Sequence, residues 1–194
     1  MGKGDATREA ILEEAGHLAR QVGLAGLTIG SLATRTGMSK SGLFAHFGSK
    51  ESLQLDVLDH ATERFTAEVV RPALTAPRGE PRVRALFDRW LAWDSTEGGC
   101  PLAAAAFELD DQPGPVRERL VHDQRAWFDT LATMATICVA EGHFRSDIDP
   151  RQFAQDVEGL MLSFHVASRL LTDPDAAARA HRGLDALLAA AAAR

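Results

Sequence analysis

Residues 28–50 read TIGSLATRTGMSKSGLFAHFGSK: two stretches too short to stand alone as helices, separated by a glycine. An isolated helix of eight residues is marginal in water, so both must be held by packing. Thr28 suits an N-cap for a segment over residues 29–36, and Ser39 caps a second one reaching about residue 46. Gly37 falls where a sharp turn favours positive φ. Leu32, Ala33, Met38, Leu43 and Phe47 supply the inner faces, and Ala33 is small enough for the two helices to cross closely. This spacing is that of a helix-turn-helix, whose second helix enters the major groove of DNA.

The rest of the chain is also helical in pattern, with no alternating β-branched stretch and no Asn-Gly hairpin signal. A first helix over residues 6–22 shows Ile11, Ala15, Leu18 and Val22 as an apolar stripe and stops at Gly23 and Gly26. Ser49 caps a fourth helix, expected to run to residue 71 and to end at Pro72. After the loop over residues 75–81, further helices are expected at 81–95, 102–109, 115–141 and 150–171, with a last one starting at Asp173-Pro174. The fold class is therefore all-α, about nine helices. A three-helix helix-turn-helix head (residues 1–50) is joined to a C-terminal helical domain (residues 51–194).

Charge points the same way. The chain carries a net charge of −6, but residues 1–50 are net +2 and residues 51–194 net −8, and no acidic residue lies between positions 15 and 50. A phosphate backbone requires such a local cationic surface, and the acidic remainder limits non-specific adhesion. The same acid-free stretch argues against the alternative of a helical protein-interaction module.

Other function classes find little support. Cys100 and Cys138 lie in apolar stretches without a neighbouring His or Asp, where cysteine behaves as a small hydrophobe. The seven histidines show no HExxH pattern, there is no CxxC, and GGCP lacks the spacing of a phosphate loop. No catalytic residue, cofactor or metal is expected. No segment approaches 18 apolar residues, the N-terminus is polar, and the cysteines are sparse, so a cytoplasmic protein is expected, without a membrane partner.

From residue 10 to residue 53 the sequence resembles the DNA-binding domain of the tetracycline-repressor (TetR) family. The resemblance rests on Gly26-Leu27-Thr28, Leu32-Ala33, Gly37-Met38-Ser39, Gly42-Leu43-Phe44-Ala45-His46-Phe47, Ser49-Lys50-Glu51 and Leu53. It implies a bacterial transcriptional regulator, more often a repressor than an activator. It also implies roles. Lys40, Ser41, Gly42 and Ala45 would occupy the exposed face of the recognition helix, with Lys40 the best candidate for reading a base. Thr28, His46 and Lys50 would meet phosphates. Ser39 and Phe44 complete the expected DNA-binding set. Thr28 and Ser39 serve equally as caps, Lys50 as a solvated lysine and His46 as a packed ring. Phe44 stands where the family usually has tyrosine, so the phenol oxygen that would reach a phosphate is missing, and Gly30 offers DNA no side chain.

For the C-terminal half the resemblance implies effector sensing and dimerisation. The apolar faces of helices eight and nine suit a homodimer through a four-helix bundle, and two heads would read a partly palindromic double-stranded operator. Trp90, Trp93, Phe107, Glu108, Trp127, Met161 and His165 are candidate walls of a pocket for a small-molecule effector of unknown identity. Helix four would couple the pocket to the heads. Core packing is the plainer reading of each.

Overall fold

The computed structural model describes residues 3–193; the outermost residues of the two expected domains, 1–2 and 194, lie outside the described residues. Among the described residues nine main helices follow one another: α1 (Lys3–Gly26), α2 (Ile29–Thr36), α3 (Lys40–Phe47), α4 (Lys50–Phe65), α5 (Glu80–Asp94), α6 (Pro101–Leu109), α7 (Pro115–Ala140), α8 (Pro150–His165) and α9 (Ala176–Ala191). Among the described residues there is no strand, only an isolated bridge between Phe144 and Ala192. The all-helical fold expected from the sequence is the fold observed.

The helices group into two compact units. One holds the chain up to Arg64 together with Cys100–His122; the other holds Phe65–Gly99 and the chain from Asp123 onward. The first unit is built on α1. Ile11, Ala15 and Leu18 are buried as their spacing predicts, but Val22 is 49% exposed. The reason is Gly23, whose φ of 78° and ψ of 162° break the helical path within α1. Past that break Leu24 and Leu27 take over the inner face. They join Leu32, Leu43, Phe47, Leu53 and Val57 in one core. The alanine-rich α6 packs along α1 and adds Ala105 and Leu109 to it. Small side chains permit that close approach.

Polar ties reinforce the unit. Arg64 donates to Glu13 at 2.9 Å, His60 lies 3.2 Å from the same carboxylate, and Arg8 pairs with Asp56 at 2.6 Å. Burial works against ionisation of Glu13, but Arg64, His60 and His17 outweigh it and hold the carboxyl below its ordinary range.

In the second unit Asp149 caps α8 by accepting from the backbone of Arg151 and Gln152. Phe153, Ala154, Val157, Met161 and Phe164 form its buried face, met by Leu184 and Leu188 of α9. Gly183 lets α9 come close: a Cβ there would sit 2.5 Å from Leu160 Cδ2. The alanine tail is pinned, since Arg145 donates to the Ala191 carbonyl and Ala193 to that of His143, both at 2.9 Å.

The helical path after α4 does not end at Pro72. It continues through a π turn (Thr66–Val70) and a short piece, Arg71–Ala73. Proline lacks an N–H and crowds the carbonyl four residues before it. The widened turn just upstream accommodates both defects without breaking the chain direction. A second π turn, Val166–Leu170, continues α8 in the same way.

Candidate nucleic-acid interface

The recognition geometry is set by caps that the sequence itself encodes. Thr28 and Ser31 form a reciprocal box: Thr28 Oγ1 accepts from the Ser31 N–H at 3.0 Å, and the Thr28 N–H donates to Ser31 Oγ at 2.9 Å. This fixes the start of α2. Gly37 closes α2 in the left-handed conformation, with φ 68°. Two residues later Ser39 Oγ accepts from the Gly42 N–H at 3.1 Å and starts α3. Leu43 and Phe47 anchor the inner side of α3, and Gly48, again at positive φ, turns the chain into α4. Ser49 caps α4 by accepting from the Ser52 N–H at 3.0 Å.

Since Leu43 and Phe47 face inward, the opposite side of α3 is open. Ser39, Lys40, Ser41, Phe44 and Ala45 are exposed; Gly42 and His46 are half-buried. Ser41, Phe44 and Ala45 stand at i, i+3 and i+4 and so share one face. Phe44 is 58% exposed, an uncommon setting for a phenyl ring. Lys40 extends toward the start of α2, where a Cβ on Gly30 would lie 3.8 Å from its Cε and 3.9 Å from its Nζ. The missing side chain at Gly30 therefore leaves space beside the lysine. His46 sits tilted against Phe47, with ring centroids 6.2 Å apart.

The cations of this unit divide into two kinds. Arg35 is engaged by Glu14 at 2.8 Å and Gln21 at 3.2 Å, and Arg8 by Asp56. Among the described residues, neither Lys40 nor Lys50 has a carboxylate partner, so their charge is uncompensated nearby. Lys50 Nζ donates to the Ala25 carbonyl at 2.7 Å and so stands at the junction of α1 and α4. A lysine there has donors left over for an anion, at the end of α4 where the helix dipole is positive.

Sequence reasoning missed the brace behind this surface. The Ala25 N–H donates to Glu108 Oε2 at 2.9 Å, and Gln54 Nε2 donates to the Leu24 carbonyl at 2.6 Å. With Lys50, three side chains thus hold the end of α1 that leads into the Thr28 cap. The pairs are 83, 30 and 25 residues apart, beyond the reach of any local pattern.

The seven residues named as effector-pocket walls fall into both units. Phe107 is 58% exposed and Glu108 is occupied at Ala25, both in the first unit. Trp90, Trp93, Trp127, Met161 and His165 lie in the second. Trp90, Trp93 and Met161 are buried there. Trp127 Nε1 donates to Glu158 Oε2 at 2.6 Å, and His165 Nδ1 lies 2.7 Å from Asp94 Oδ1. Glu158, Asp94 and Phe65 escaped the sequence reading. They sit in helices whose apolar periodicity reads as core, and only their partners single them out.

Among the described residues no group of His, Cys, Asp and Glu is arranged to hold a metal, and no helix is long and apolar enough to cross a membrane.

Comparison with known proteins places these features in a family. Residues 79–184 match the "Tetracyclin repressor-like, C-terminal domain", and residues 11–57 match "Bacterial regulatory proteins, tetR family". No curated protein sequence matches the chain. Solved structures do. A TetR transcriptional regulator from Chloroflexus aurantiacus J-10-FL superposes with a TM-score of 0.85 at 27% identity, covering 97% of this chain and 96% of that one. A transcriptional regulator from Saccharomonospora viridis, solved in complex with choline, gives 0.83 at 19%, covering 98% and 100%. AibR, solved in complex with isovaleryl coenzyme A and operator DNA, gives 0.69 at 21%, covering 81% and 85%. With a helix-turn-helix unit, a second helical unit and both family signatures, this chain belongs to the TetR family of DNA-binding transcriptional regulators.

Proposed function

We propose that the protein is a repressor that binds a partly palindromic operator as a homodimer and leaves it when a small effector binds. The observation that carries this reading is the open face of α3. Lys40, Ser41, Phe44 and Ala45 project there, with uncompensated lysines at Lys40 and Lys50. Lys40 reads a base, and a bidentate pair with guanine O6/N7 is worth roughly 1–3 kcal/mol of discrimination. Ser41, Gly42 and Ala45 line the base edges. Thr28, Ser39, His46 and Lys50 meet the phosphates that fix the register. Phe44 packs its ring against the groove without the hydroxyl a tyrosine would bring.

Residues 1–50 act as the reading head and residues 51–194 as the effector and dimerisation domain. The partner is a second copy through α8 and α9. Val166, Leu170 and Leu171 are 41%, 78% and 65% exposed, and α9 presents Ala178, Ala186, Ala189 and Ala190 outward. An apolar face of this kind calls for cover. Repression follows from occupancy, and release follows from an effector that prefers the form unfit for DNA. AibR, with both a ligand and operator DNA, is a fold relative in which the two kinds of partner occur together.

Selection from a random-sequence duplex pool tests the reading. It should enrich two related half-sites about 10–10.5 bp apart, or a multiple of that spacing. Binding to the winner should fall steeply with salt. A pool without enriched sequences would contradict sequence-specific recognition, and a single asymmetric site would contradict the dimer.

A further inference from the structure

We propose that the second unit holds a site for a compact organic cation, built from the Glu158 carboxylate and the rings of Trp127, Phe65 and Trp93. On the effector-responsive reading above, that cation is the effector. The starting observation concerns buried charge. Among the described residues Asp94 and Glu158 are the only acidic or basic side chains in the buried class, at 0% and 7% exposure. Both lie in the second unit, and no lysine or arginine is buried with them.

An ionised carboxylate is expensive to bury unless it is paired. Asp94 has His165 at 2.7 Å. Among the described residues Glu158 has only the Trp127 indole N–H, at 2.6 Å, and no cation. Burial pushes the Glu158 carboxyl above its ordinary range, against the opposing effect of the Trp127 hydrogen bond. A core without a task would place an apolar side chain at this position, one turn before Met161. Glu158, Met161 and His165 stand at i, i+3 and i+7 of α8 and so share the face turned inward.

The aromatic chain that starts at the Trp127 partner of Glu158 supplies the rest of the recognition. Phe65 meets Trp127 edge to face, with centroids 5.1 Å apart and planes at 81°, and meets Trp93 at 6.1 Å and 73°. Ring faces carry negative electrostatic potential and attract cations, most strongly in tryptophan. One carboxylate that lacks a counter-ion, bonded to one indole that continues into a phenyl ring and a second indole, complements a quaternary ammonium or a protonated amine with an apolar skin. The same array repels an anionic ligand and leaves the carboxylate unmatched by a neutral one.

The test uses the full-length protein and defined probes. Choline, tetraethylammonium and benzyltrimethylammonium are compared with 3,3-dimethylbutan-1-ol, the uncharged isostere of choline, and with hexanoate. All three tryptophans of the chain lie in the second unit, so their fluorescence reports on the site. At least one cation should bind, about tenfold or more tighter than the uncharged isostere. Glu158→Gln should lower its affinity about tenfold. Trp127→Phe, which keeps a ring and removes the N–H, provides a second variant should Glu158→Gln fail to fold, and should weaken the same cation. Equal binding of the isostere, no binding by any of the three cations, or unchanged cation affinity in a folded Glu158→Gln protein would overturn the site. Release from the operator is read separately. Cations that bind but leave operator affinity unchanged support the site and refute the effector reading. A neutral or anionic compound that releases the operator while all three cations fail to bind overturns the cation site and leaves the effector reading standing.

Discussion

Gly23 is the position where a single methyl group should do most damage to the DNA-reading unit. Its φ of 78° and ψ of 162° fall in a region that side chains with a Cβ avoid. Forcing alanine into it costs about 1–3 kcal/mol. The new Cβ would also lie 2.8 Å from Glu108 Cδ, and closer still to Oε1, so the carboxylate must swing away. That motion breaks its bond to the Ala25 N–H. A charge-assisted hydrogen bond of this kind contributes about 1.5 kcal/mol at a half-exposed site. Gly23→Ala should therefore lower the stability of the unit by about 2.5–4.5 kcal/mol. Removing the carboxylate first changes the sum. Glu108→Ala alone should cost about 1.5 kcal/mol, and Gly23→Ala in that background only the backbone strain of about 1–3 kcal/mol. The two substitutions should thus be less than additive by about 1.5 kcal/mol. Urea unfolding followed by far-ultraviolet circular dichroism measures all four proteins of the cycle; tryptophan fluorescence would not serve, since every indole lies in the other unit. Additivity within about 0.5 kcal/mol would refute the collision with Glu108, and a Gly23→Ala cost below about 0.5 kcal/mol would refute the strained turn itself.

Three further outcomes are expected. Cys100 and Cys138 are 2% and 0% exposed, and burial, with the nearby charge of Glu80, pushes the Cys138 thiol up to about 11. On the order of one Cys138 in a thousand is then ionised at pH 8, so a disulfide reagent should leave both thiols untouched until denaturant is added; a thiol that titrates in the native protein would revive a redox role. Phe44→Tyr should restore a phosphate hydrogen bond and tighten binding to all duplexes about two- to tenfold, measured by anisotropy, whereas weaker binding would mean that the ring faces an apolar part of the groove. Val166→Glu, on the exposed apolar side of the segment after α8, should convert the protein to monomers in sedimentation and abolish operator binding; an unchanged dimer would move the interface elsewhere.

The helix-turn-helix was legible because its determinants are local. Thr28, Gly37, Ser39 and Ser49 act on backbone groups within three residues of themselves, so composition and spacing suffice to place the turns and caps. The apolar stripes worked for the same reason until a glycine intervened: Val22 continues the period of α1 on paper, yet the break at Gly23 hands its place to Leu24 and Leu27. Pro72 misled in the other direction, because a π turn lets the chain pass a proline without stopping. What the sequence does not display is pairing at a distance. Glu108 reads as a pocket carboxylate, yet its side chain holds the Ala25 backbone; Glu158 attracted no reading at all, and is buried against Trp127. Each depends on a partner more than thirty residues away.

The central claim is that α3 reads DNA through Lys40 while Lys50 anchors the backbone. Fluorescence anisotropy on duplex DNA from upstream of the protein's own gene, with excess random competitor, tests it directly when the wild type is compared with Lys40→Ala and Lys50→Ala across a salt series. Specific binding should survive the competitor. Lys40→Ala should lose about 1–3 kcal/mol of preference for the site. Lys50→Ala should weaken all sequences alike and reduce the salt slope by about one. Failure to bind specifically, there and in the random-pool selection, would contradict the claim, as would a Lys40→Ala protein that discriminates as well as the wild type.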